Sequence, residues 1–243
     1  MLIPKKLATR HIPTPPMPLV NAIVAGDPDR ILSFSKHLDT ILFSERRREF
    51  QMVVGIKNSI PLALCSHGVG SAGALICFHE LLQLGVKKII RIGTCGALQE
   101  GIATACVLLA TKCLGLDGPT TQLYSNERAL QCANLELMQK LEKAFEATAL
   151  NHRLGTIVTS DLYYDNHPQY SLQRMSDEGY LGIDMETATL FGFAESHKIQ
   201  AASLLVVDGN PLKWNEGNYH ASAEVVKEAL SNCLNIALGE AFA

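Results

Sequence analysis

The chain has 243 residues, of which 47% are hydrophobic and 19% are charged, and this composition fits one globular domain near the upper end of the usual size range. No apolar run approaches the ~20 residues that a membrane span needs, and the formal net charge of −3 gives no electrostatic basis for a nucleic-acid or membrane partner. The seven cysteines are scattered without zinc-ligand spacing, so free thiols in a reducing compartment, the cytoplasm, are expected.

Predicted strands and helices alternate along the chain after an N-terminal segment, 1–18, whose prolines at 13, 15, 16 and 18 favour an extended conformation. Apolar runs that end at glycine or at polar residues indicate strands, and a period of 3.6 residues indicates helices. The predicted strands are 20–26, 51–54, 62–66, 88–92, 106–111, 153–159 and 202–207. The predicted helices are 31–38, 70–84, 130–147, 185–197 and 221–238.

This alternation predicts an α/β fold in which a central mixed β-sheet carries helices on both faces, a three-layer α/β/α arrangement. Because no linker or repeat interrupts the pattern, residues 1–243 are expected to form a single domain. Ligands of such folds gather at the carboxyl ends of strands. Clusters of glycine and polar residues follow the predicted strands here, at 26–30, 66–68, 91–94, 159–163 and 208–209.

Two of these clusters contain an arginine that could bind an anion. Arg30 lies in the first turn of a predicted helix, four residues after Gly26, where the helix N-terminus also favours negative charge; a plain turn with a solvated arginine is the alternative. Arg91 ends an apolar strand next to Thr94, so it needs a partner, which is either a bound anion or a carboxylate of the chain itself. The charged run 45–49 is typical of a solvated face unless an arginine reaches a subunit interface.

Six motifs occur in a characteristic order: Gly-Asp-Pro-x-Arg, Ser-His-Gly-Val-Gly, Arg-x-Gly-Thr-Cys-Gly, Ser-Asp-Leu-Tyr-Tyr, Asp-Met-Glu-x-Ala and Val-Asp-Gly-x-Pro. As a set they resemble the nucleoside phosphorylase family that contains hexameric purine nucleoside phosphorylases and uridine phosphorylases. The resemblance extends from about His11 to the last helix. The segment 207–217 looks most like the purine enzymes of apicomplexan parasites.

The resemblance implies a phosphate site and a homo-oligomer. By motif, the phosphate ligands within one subunit would be Gly26, Arg30, Arg91 and Thr94. Arg48 resembles the family arginine that reaches the phosphate of a neighbouring subunit, and His11 resembles a histidine that crosses the same interface to the ribose 5′-hydroxyl. A dimer would then be the smallest active unit, and the family suggests a hexamer built as a trimer of dimers.

The remaining ligands would bind the nucleoside. The resemblance implies that Met185 and Glu186 hold the ribose, that Tyr163 stacks on the sugar or base, and that the base pocket is formed by Cys95, Gly96, Ile183 and Trp214. Asp208 would be the catalytic residue. No metal or organic cofactor is expected, because phosphate itself is the co-substrate.

The chemistry of glycosidic bond cleavage explains these residue types. Bond cleavage places positive charge on the sugar, which a phosphate held by arginines stabilises and attacks. A carboxylate at Glu186 can accept hydrogen bonds from both the 2′- and the 3′-hydroxyl. Asp208 ends a buried strand, where an apolar environment raises a carboxyl pKa and lets the group protonate N7 of a purine leaving group.

Three alternatives stay open at this point. The first is a uridine phosphorylase, which the segments 116–121 and 185–190 resemble. Such an enzyme would not need Asp208, because uracil has no N7. The nearest candidates for binding uracil, Gln169 and Arg174, are poorly spaced. A hydrolytic nucleosidase would have no use for the arginines. A non-catalytic nucleoside-binding protein would have no need for both the arginines and Asp208. His67, Asp27, Asp161 and Asp184 are interpreted as structural residues, the aspartates as caps of helices or turns.

Overall fold

The computed structural model describes residues 9–123, 130–164, 171–220 and 223–242, and in these ranges it contains ten strands and seven α-helices. The strands are β1 Asn21–Ala25, β2 Thr40–Arg47, β3 Phe50–Lys57, β4 Ile60–Ser66, β5 Lys88–Ala97, β6 Val107–Gly115, β7 Leu130–Cys132, β8 His152–Thr159, β9 Gly182–Asp184 and β10 Gln200–Gly209. The helices are α1 Pro28–Ser35, α2 Ser71–Gln83, α3 Gly118–Leu123, α4 Leu135–Glu146, α5 Leu172–Asp177, α6 Thr187–His197 and α7 Glu224–Ile236. A 3-10 helix spans Pro211–Glu216, and a π-helical turn, Ala237–Ala241, follows α7.

All ten strands belong to one mixed sheet with the order β10-β6-β8-β9-β5-β1-β4-β3-β2, in which β7 pairs with β6. The additional parallel pairing of β10 with β5 closes β5, β10, β6, β8 and β9 into a ring. The antiparallel strands β3 and β2 extend the sheet beyond β4, so that β2 lies at an edge.

Helices cover both faces of the sheet, which confirms the predicted fold class. On one face the core contains Phe78 of α2 and Phe191 of α6, and on the other face it contains Phe34 of α1, Leu141 of α4 and Leu230 of α7. Alternate residues of the strands point into these two cores, as the pleat of a strand requires. No helix in the described ranges is long and apolar enough to cross a membrane.

Several predicted elements differ from the structure. The predicted helix 130–147 is wrong at its start, because residues 130–132 pair with β6 as β7 and the helix begins only at Leu135, where Asn134 caps it. The strand predicted to end at residue 92 continues to Ala97, because β10 and β9 pair with its second half. The edge strand β2 has no predicted counterpart, since its apolar run is only three residues long, 41–43, and charged residues follow it. The extended segment 1–18 is described only from residue 9 onward.

The prediction that polar clusters meet at strand ends is confirmed. Residues in the carboxyl-terminal parts of β5, β9 and β10, and residues that follow β1, β4, β8, β9 and β10, line one cavity. The short strand β9 pairs antiparallel with the end of β5 through Gly96 and Ile183, and it pairs parallel with β8 through Asp184 and Thr159. This double pairing brings the residues after β8 and β9 to the carboxyl end of β5, although β8 and β9 run opposite to it.

Candidate active site

The cavity at the strand ends has a volume of about 710 Å³. It is lined by most of the residues that the sequence singles out: Gly26, Arg30, Arg91, Thr94, Cys95, Gly96, Tyr163, Ile183, Met185, Glu186, Asp208 and Trp214. Two predicted residues, Arg48 and His11, do not line the cavity of their own chain. No cluster of three or more histidine, cysteine, aspartate or glutamate side chains that could hold a metal occurs in the described part of the chain.

One corner of the cavity is formed by the turn between β1 and α1. Asp27 caps α1 by accepting a hydrogen bond from the Asp29 N–H at 2.8 Å, which confirms its predicted capping role. Arg30 extends from the first turn of this helix and is half-buried, and no described carboxylate lies within ion-pair distance of its guanidinium. Burial lowers the pKa of Arg30. Arg30 is therefore a partly desolvated cation that an anion can approach.

Arg91 is paired with two carboxylates of its own chain. Its side chain forms ion pairs with Asp184, at 3.1 Å between Nη1 and Oδ2, and with Glu186. Arg91 is only 3% exposed, and burial opposes its charge while the two carboxylates raise its pKa. The chain's own carboxylates are therefore partners of Arg91, and because the guanidinium also borders the cavity, phosphate binding by Arg91 stays a prediction.

Glu186 is held on both of its carboxylate oxygens. Oε1 accepts a hydrogen bond from the Gly70 N–H at 2.7 Å, just before α2, and Oε2 pairs with Arg91. The side chain is buried, and it lines the cavity together with Met185. Because each carboxylate oxygen has a second lone pair, Glu186 can still accept hydrogen bonds from two neighbouring hydroxyl groups.

Asp208 lies at the end of β10, where a shift in register interrupts the pairing with β5. Its side chain is 8% exposed, and burial raises its pKa to about 6, while the nearby Thr94 hydroxyl and the charge of Arg30 oppose this shift. Lys213 does not serve as its counter-ion, because the ammonium group lies 3.5 Å from Glu100. Asp208 therefore resembles a general acid that holds its proton close to neutral pH.

The opposite wall of the cavity is aromatic. The Trp214 ring lies 5.0 Å from the Tyr163 ring and 5.8 Å from the Tyr219 ring, measured between centroids. The 3-10 helix that carries Trp214 packs closely on β5, because a Cβ atom at Gly96 would approach Pro211 Cδ to 2.7 Å. Position 96 therefore requires glycine, because the 3-10 helix leaves no space there for a side chain. Cys95 is buried beside it, and burial raises the pKa of the thiol well above its usual range, which disfavours a nucleophilic thiolate.

Arg48 and His11 lie on the surface of the chain. Arg48 forms the turn between β2 and β3 with a φ of 53°, and its neighbour Glu49 borders the cavity. The His11 Nδ1 atom lies 2.8 Å from Glu80, and 40% of the side chain is exposed. The buried Glu80 carboxylate also accepts hydrogen bonds from the backbone N–H groups of Arg10, His11 and Ile12. Whether Arg48 and His11 complete the site of another subunit stays a prediction.

Several cavity residues are not among the ligands that the sequence predicts. They are Glu49, Gly68, Val69, Ser160, Leu162, Tyr164, Leu172, Pro211 and Tyr219, together with Asp184, for which the sequence predicts only a cap. The cap is confirmed, since Asp184 accepts a hydrogen bond from the Thr187 N–H at 3.1 Å. The signal in the sequence is the position of Asp184 in the same Asp-Met-Glu motif as Glu186.

Of the features that resemble uridine enzymes, the segment 185–190 contributes Met185 and Glu186 to the cavity, whereas the others do not line it or lie outside the described residues. Arg174 is exposed, and its Nε lies 2.8 Å from Glu178. Gln169 is outside the described residues. Asp117, in the segment 116–121, is fully buried and accepts hydrogen bonds from the Thr120 N–H and the Thr189 hydroxyl, so its role in this chain is structural.

Comparison with known proteins identifies relatives along most of the chain. A family model described as the phosphorylase superfamily matches residues 21–240. The chain is 31% identical to the purine nucleoside phosphorylase of Plasmodium falciparum over 218 residues, which cover 89% of this chain and 88% of the relative. It is also 31% identical to the uridine phosphorylase of Haemophilus influenzae over 223 residues, which cover 86% and 88%.

A solved structure gives the same result. The purine nucleoside phosphorylase of Toxoplasma gondii, in complex with immucillin-H, superposes with a TM-score of 0.85 at 29% identity, and the match covers 91% of this chain and 89% of that one. These findings confirm the resemblance identified from the six motifs. Purine and uridine enzymes occur at equal identity, so overall similarity does not choose between the two bases.

Proposed function

The chain belongs to the phosphorylase superfamily, and from this premise we propose that it cleaves purine nucleosides of the inosine and guanosine class with inorganic phosphate. The products are the free base and ribose 1-phosphate. The observation that carries the proposal is Asp208, a desolvated carboxyl group at the cavity wall whose pKa is raised to about 6.

A purine leaves as a neutral base when N7 is protonated, and Asp208 is the group that supplies this proton. Because its pKa lies near 6, the group is partly protonated at neutral pH and also remains acidic enough to transfer the proton. A pyrimidine has no N7, so a uridine enzyme has no evident use for such a group. The aromatic wall formed by Tyr163, Trp214 and Tyr219 offers flat surfaces against which a base can pack.

The sugar binds between Glu186 and the phosphate in this proposal. Glu186 accepts hydrogen bonds from the 2′- and 3′-hydroxyls, and Arg91, which pairs with it, also borders the phosphate. As the glycosidic bond breaks, positive charge develops on the ribose, and the phosphate oxygen beneath C1′ stabilises this charge and forms the new bond. The reaction needs no metal or organic cofactor, because phosphate is both nucleophile and counter-ion.

The charges in the cavity support a contribution from a second subunit. Its described lining contains two cations, Arg30 and Arg91, but five carboxylates: Asp27, Glu49, Asp184, Glu186 and Asp208. Such a lining does not neutralise a phosphate dianion. Arg48 from a second copy would add the missing cation next to Glu49, and His11 from that copy would reach the ribose 5′-hydroxyl. We therefore propose that the active unit is at least a dimer and that the assembly is a hexamer.

Two competing activities predict different substrates. Uridine phosphorolysis is the second candidate, because a uridine enzyme is as similar in sequence as the purine enzymes. A hydrolytic nucleosidase is disfavoured, since water needs no cation such as Arg30, which has no described carboxylate partner. A cytoplasmic location completes the proposal, because the seven cysteines are free thiols.

The deciding experiment measures release of free base from inosine, guanosine, adenosine and uridine, each with and without phosphate. We expect turnover of inosine and guanosine that depends on phosphate and yields ribose 1-phosphate. Preference for uridine would replace the purine assignment. Turnover that does not require phosphate would identify a nucleosidase, and binding without turnover would identify a nucleoside-binding protein.

A further inference from the structure

A fully buried carboxylate lies behind the ion pair of Arg91. The Asp184 side chain is 0% exposed, and only hydrogen-bond donors surround its oxygens. Oδ1 accepts from the Thr159 hydroxyl at 2.5 Å, while Oδ2 accepts from the Thr187 hydroxyl at 2.6 Å and lies 3.1 Å from Arg91 Nη1. Burial raises the pKa of Asp184, and the charge of Glu186 adds to this shift; the charge of Arg91 and the hydrogen bonds from Thr159 and Thr187 offset it only in part. The donors around the carboxylate therefore act in favour of the ionised form against the effect of burial.

The donors to Asp184 are themselves fixed by further contacts. The Thr159 hydroxyl accepts a hydrogen bond from the Ala188 N–H at 3.0 Å, so its own proton is directed toward Asp184. The Thr187 hydroxyl lies 2.9 Å from the Ser203 hydroxyl of β10. These bonds connect β8, β9, β10 and the start of α6 in one buried network. Asp184 therefore has little freedom to follow a change in the cavity.

The guanidinium of Arg91 has equally little space. A Cβ atom at Gly93 would approach Arg91 Cζ to 2.7 Å, so the backbone of β5 closes one side of the group. The ion pairs with Asp184 and Glu186 hold two of its nitrogens, and the side chain is 4% exposed. The group thus occupies a slot of fixed size between backbone and carboxylates.

We propose that Asp184 is a positioning residue, which acts through Arg91 by holding its guanidinium in this slot, so that phosphate and Glu186 are presented to the same face of the ribose. This inference rests on the proposed function. Asp184 would contact neither phosphate nor nucleoside. Its charge opposes phosphate binding, so its contribution lies in geometry, where a displacement of about 1 Å can cost roughly 100-fold in rate.

The test compares Asp184→Asn with Asp117→Asn. Asp117 is a matched control, because it is also fully buried and also accepts from an N–H and a threonine hydroxyl, but no cation pairs with it in the described structure. We expect Asp184→Asn to lower kcat about 10- to 100-fold while the KM for phosphate stays equal or falls, since a negative charge near the anion is removed. Asp117→Asn is expected to lower Tm and leave kcat within about 2-fold.

A crystal structure of each variant supplies a readout that does not depend on turnover. We expect the Arg91 guanidinium to be displaced in Asp184→Asn and unmoved in Asp117→Asn. If Arg91 is unmoved in Asp184→Asn, or if kcat stays within about 2-fold of the wild type, the positioning role is overturned. Inactivity of the wild type on every nucleoside would instead reject the proposed function, and the position of Arg91 would still decide this inference.

A second pair of variants covers failure of Asp184→Asn to fold. Thr159→Val removes a donor to Asp184, and Thr159→Ser retains it. We expect a loss of kcat in Thr159→Val that Thr159→Ser restores. Equal kcat in these two variants would contradict the proposal.

Discussion

The two halves of the cavity are built in different ways. Around the proposed sugar and phosphate positions, Arg91, Asp184 and Glu186 are buried and joined by ion pairs. Around the proposed base position, no described cation forms an ion pair with the buried Asp208, and the aromatic residues beside it, such as Tyr163, come from connecting segments and are partly exposed. The first half is thus held by ion pairs, whereas the second is not.

Under the proposed function, this difference would let one scaffold serve different bases, because ribose and phosphate require a fixed geometry. In the proposed base pocket, Cys95, Gly96 and Ile183 belong to the sheet, but Tyr163 and Trp214 lie in connecting segments. Side chains of such segments can change without disturbing the buried ion pairs. Purine and uridine phosphorylases at 31% identity are consistent with this division.

The largest expected effect tests the base half. Asp208→Asn should lower kcat/KM for inosine by roughly 10²–10⁴-fold, the usual contribution of a general acid, because the amide cannot transfer a proton to N7. Phosphate binding, followed by thermal stabilisation with added phosphate, should persist because the arginines are unchanged. Near-normal turnover of inosine by this variant would refute the purine mechanism.

The next effect tests whether the phosphate half is completed by another subunit. Arg48→Ala should raise the KM for phosphate at least 10-fold, since a hydrogen bond to a charged group contributes about 1.5–3 kcal/mol. Co-expression of Arg48→Ala with Asp208→Asn should restore about a quarter of wild-type activity, because each mixed dimer regains one intact site.

Arg30→Ala is the matched control for this mixing experiment. Arg30 lines the cavity of its own chain, so Arg30→Ala mixed with Asp208→Asn leaves every site with one defect and should restore nothing. Recovery in both mixtures, or in neither, would argue against a contribution of Arg48 across an interface.

The smallest effect concerns stability. The pKa of Asp208 in the folded state is about 6, above its ordinary value of 3.8. Protonation of Asp208 therefore stabilises the fold, fully so below about pH 4, and this stabilisation is lost as the pH rises through 6. Above pH 6 the wild type should therefore be less stable than Asp208→Asn, by at most about 3 kcal/mol. Thermal unfolding of both proteins at pH 4.5 and pH 8 measures the difference, and an equal gap at the two values would contradict it.

The sequence predicts the fold and the membership of the cavity well, because both depend on local patterns. Gly26, Arg30, Thr94 and Asp208 each follow an apolar strand, and the common edge of the sheet brings them together. Elements whose pattern is weak were missed: β9 has three residues, and the side chains of β2 are largely exposed.

The pairing of charges was beyond sequence reasoning. For Arg91 the sequence leaves a bound anion and a carboxylate of the chain open, because its carboxylate partners lie more than 90 residues away and reach it only through the pairing of β9 with the end of β5. Lys213, five residues after Asp208 in the sequence, lies beside Glu100 instead. Such contacts depend on side-chain direction across strands, which spacing in one sequence does not encode.

The attachment of the N-terminal segment to Glu80 has a consequence for assembly. Three successive backbone N–H groups, from Arg10 to Ile12, are fixed on one buried carboxylate, so this stretch loses its conformational entropy when the chain folds. Any subunit that meets His11 therefore meets a segment that is already ordered. Association therefore does not include the entropic cost of ordering this segment. A tight contact can then form even if the contact area is small.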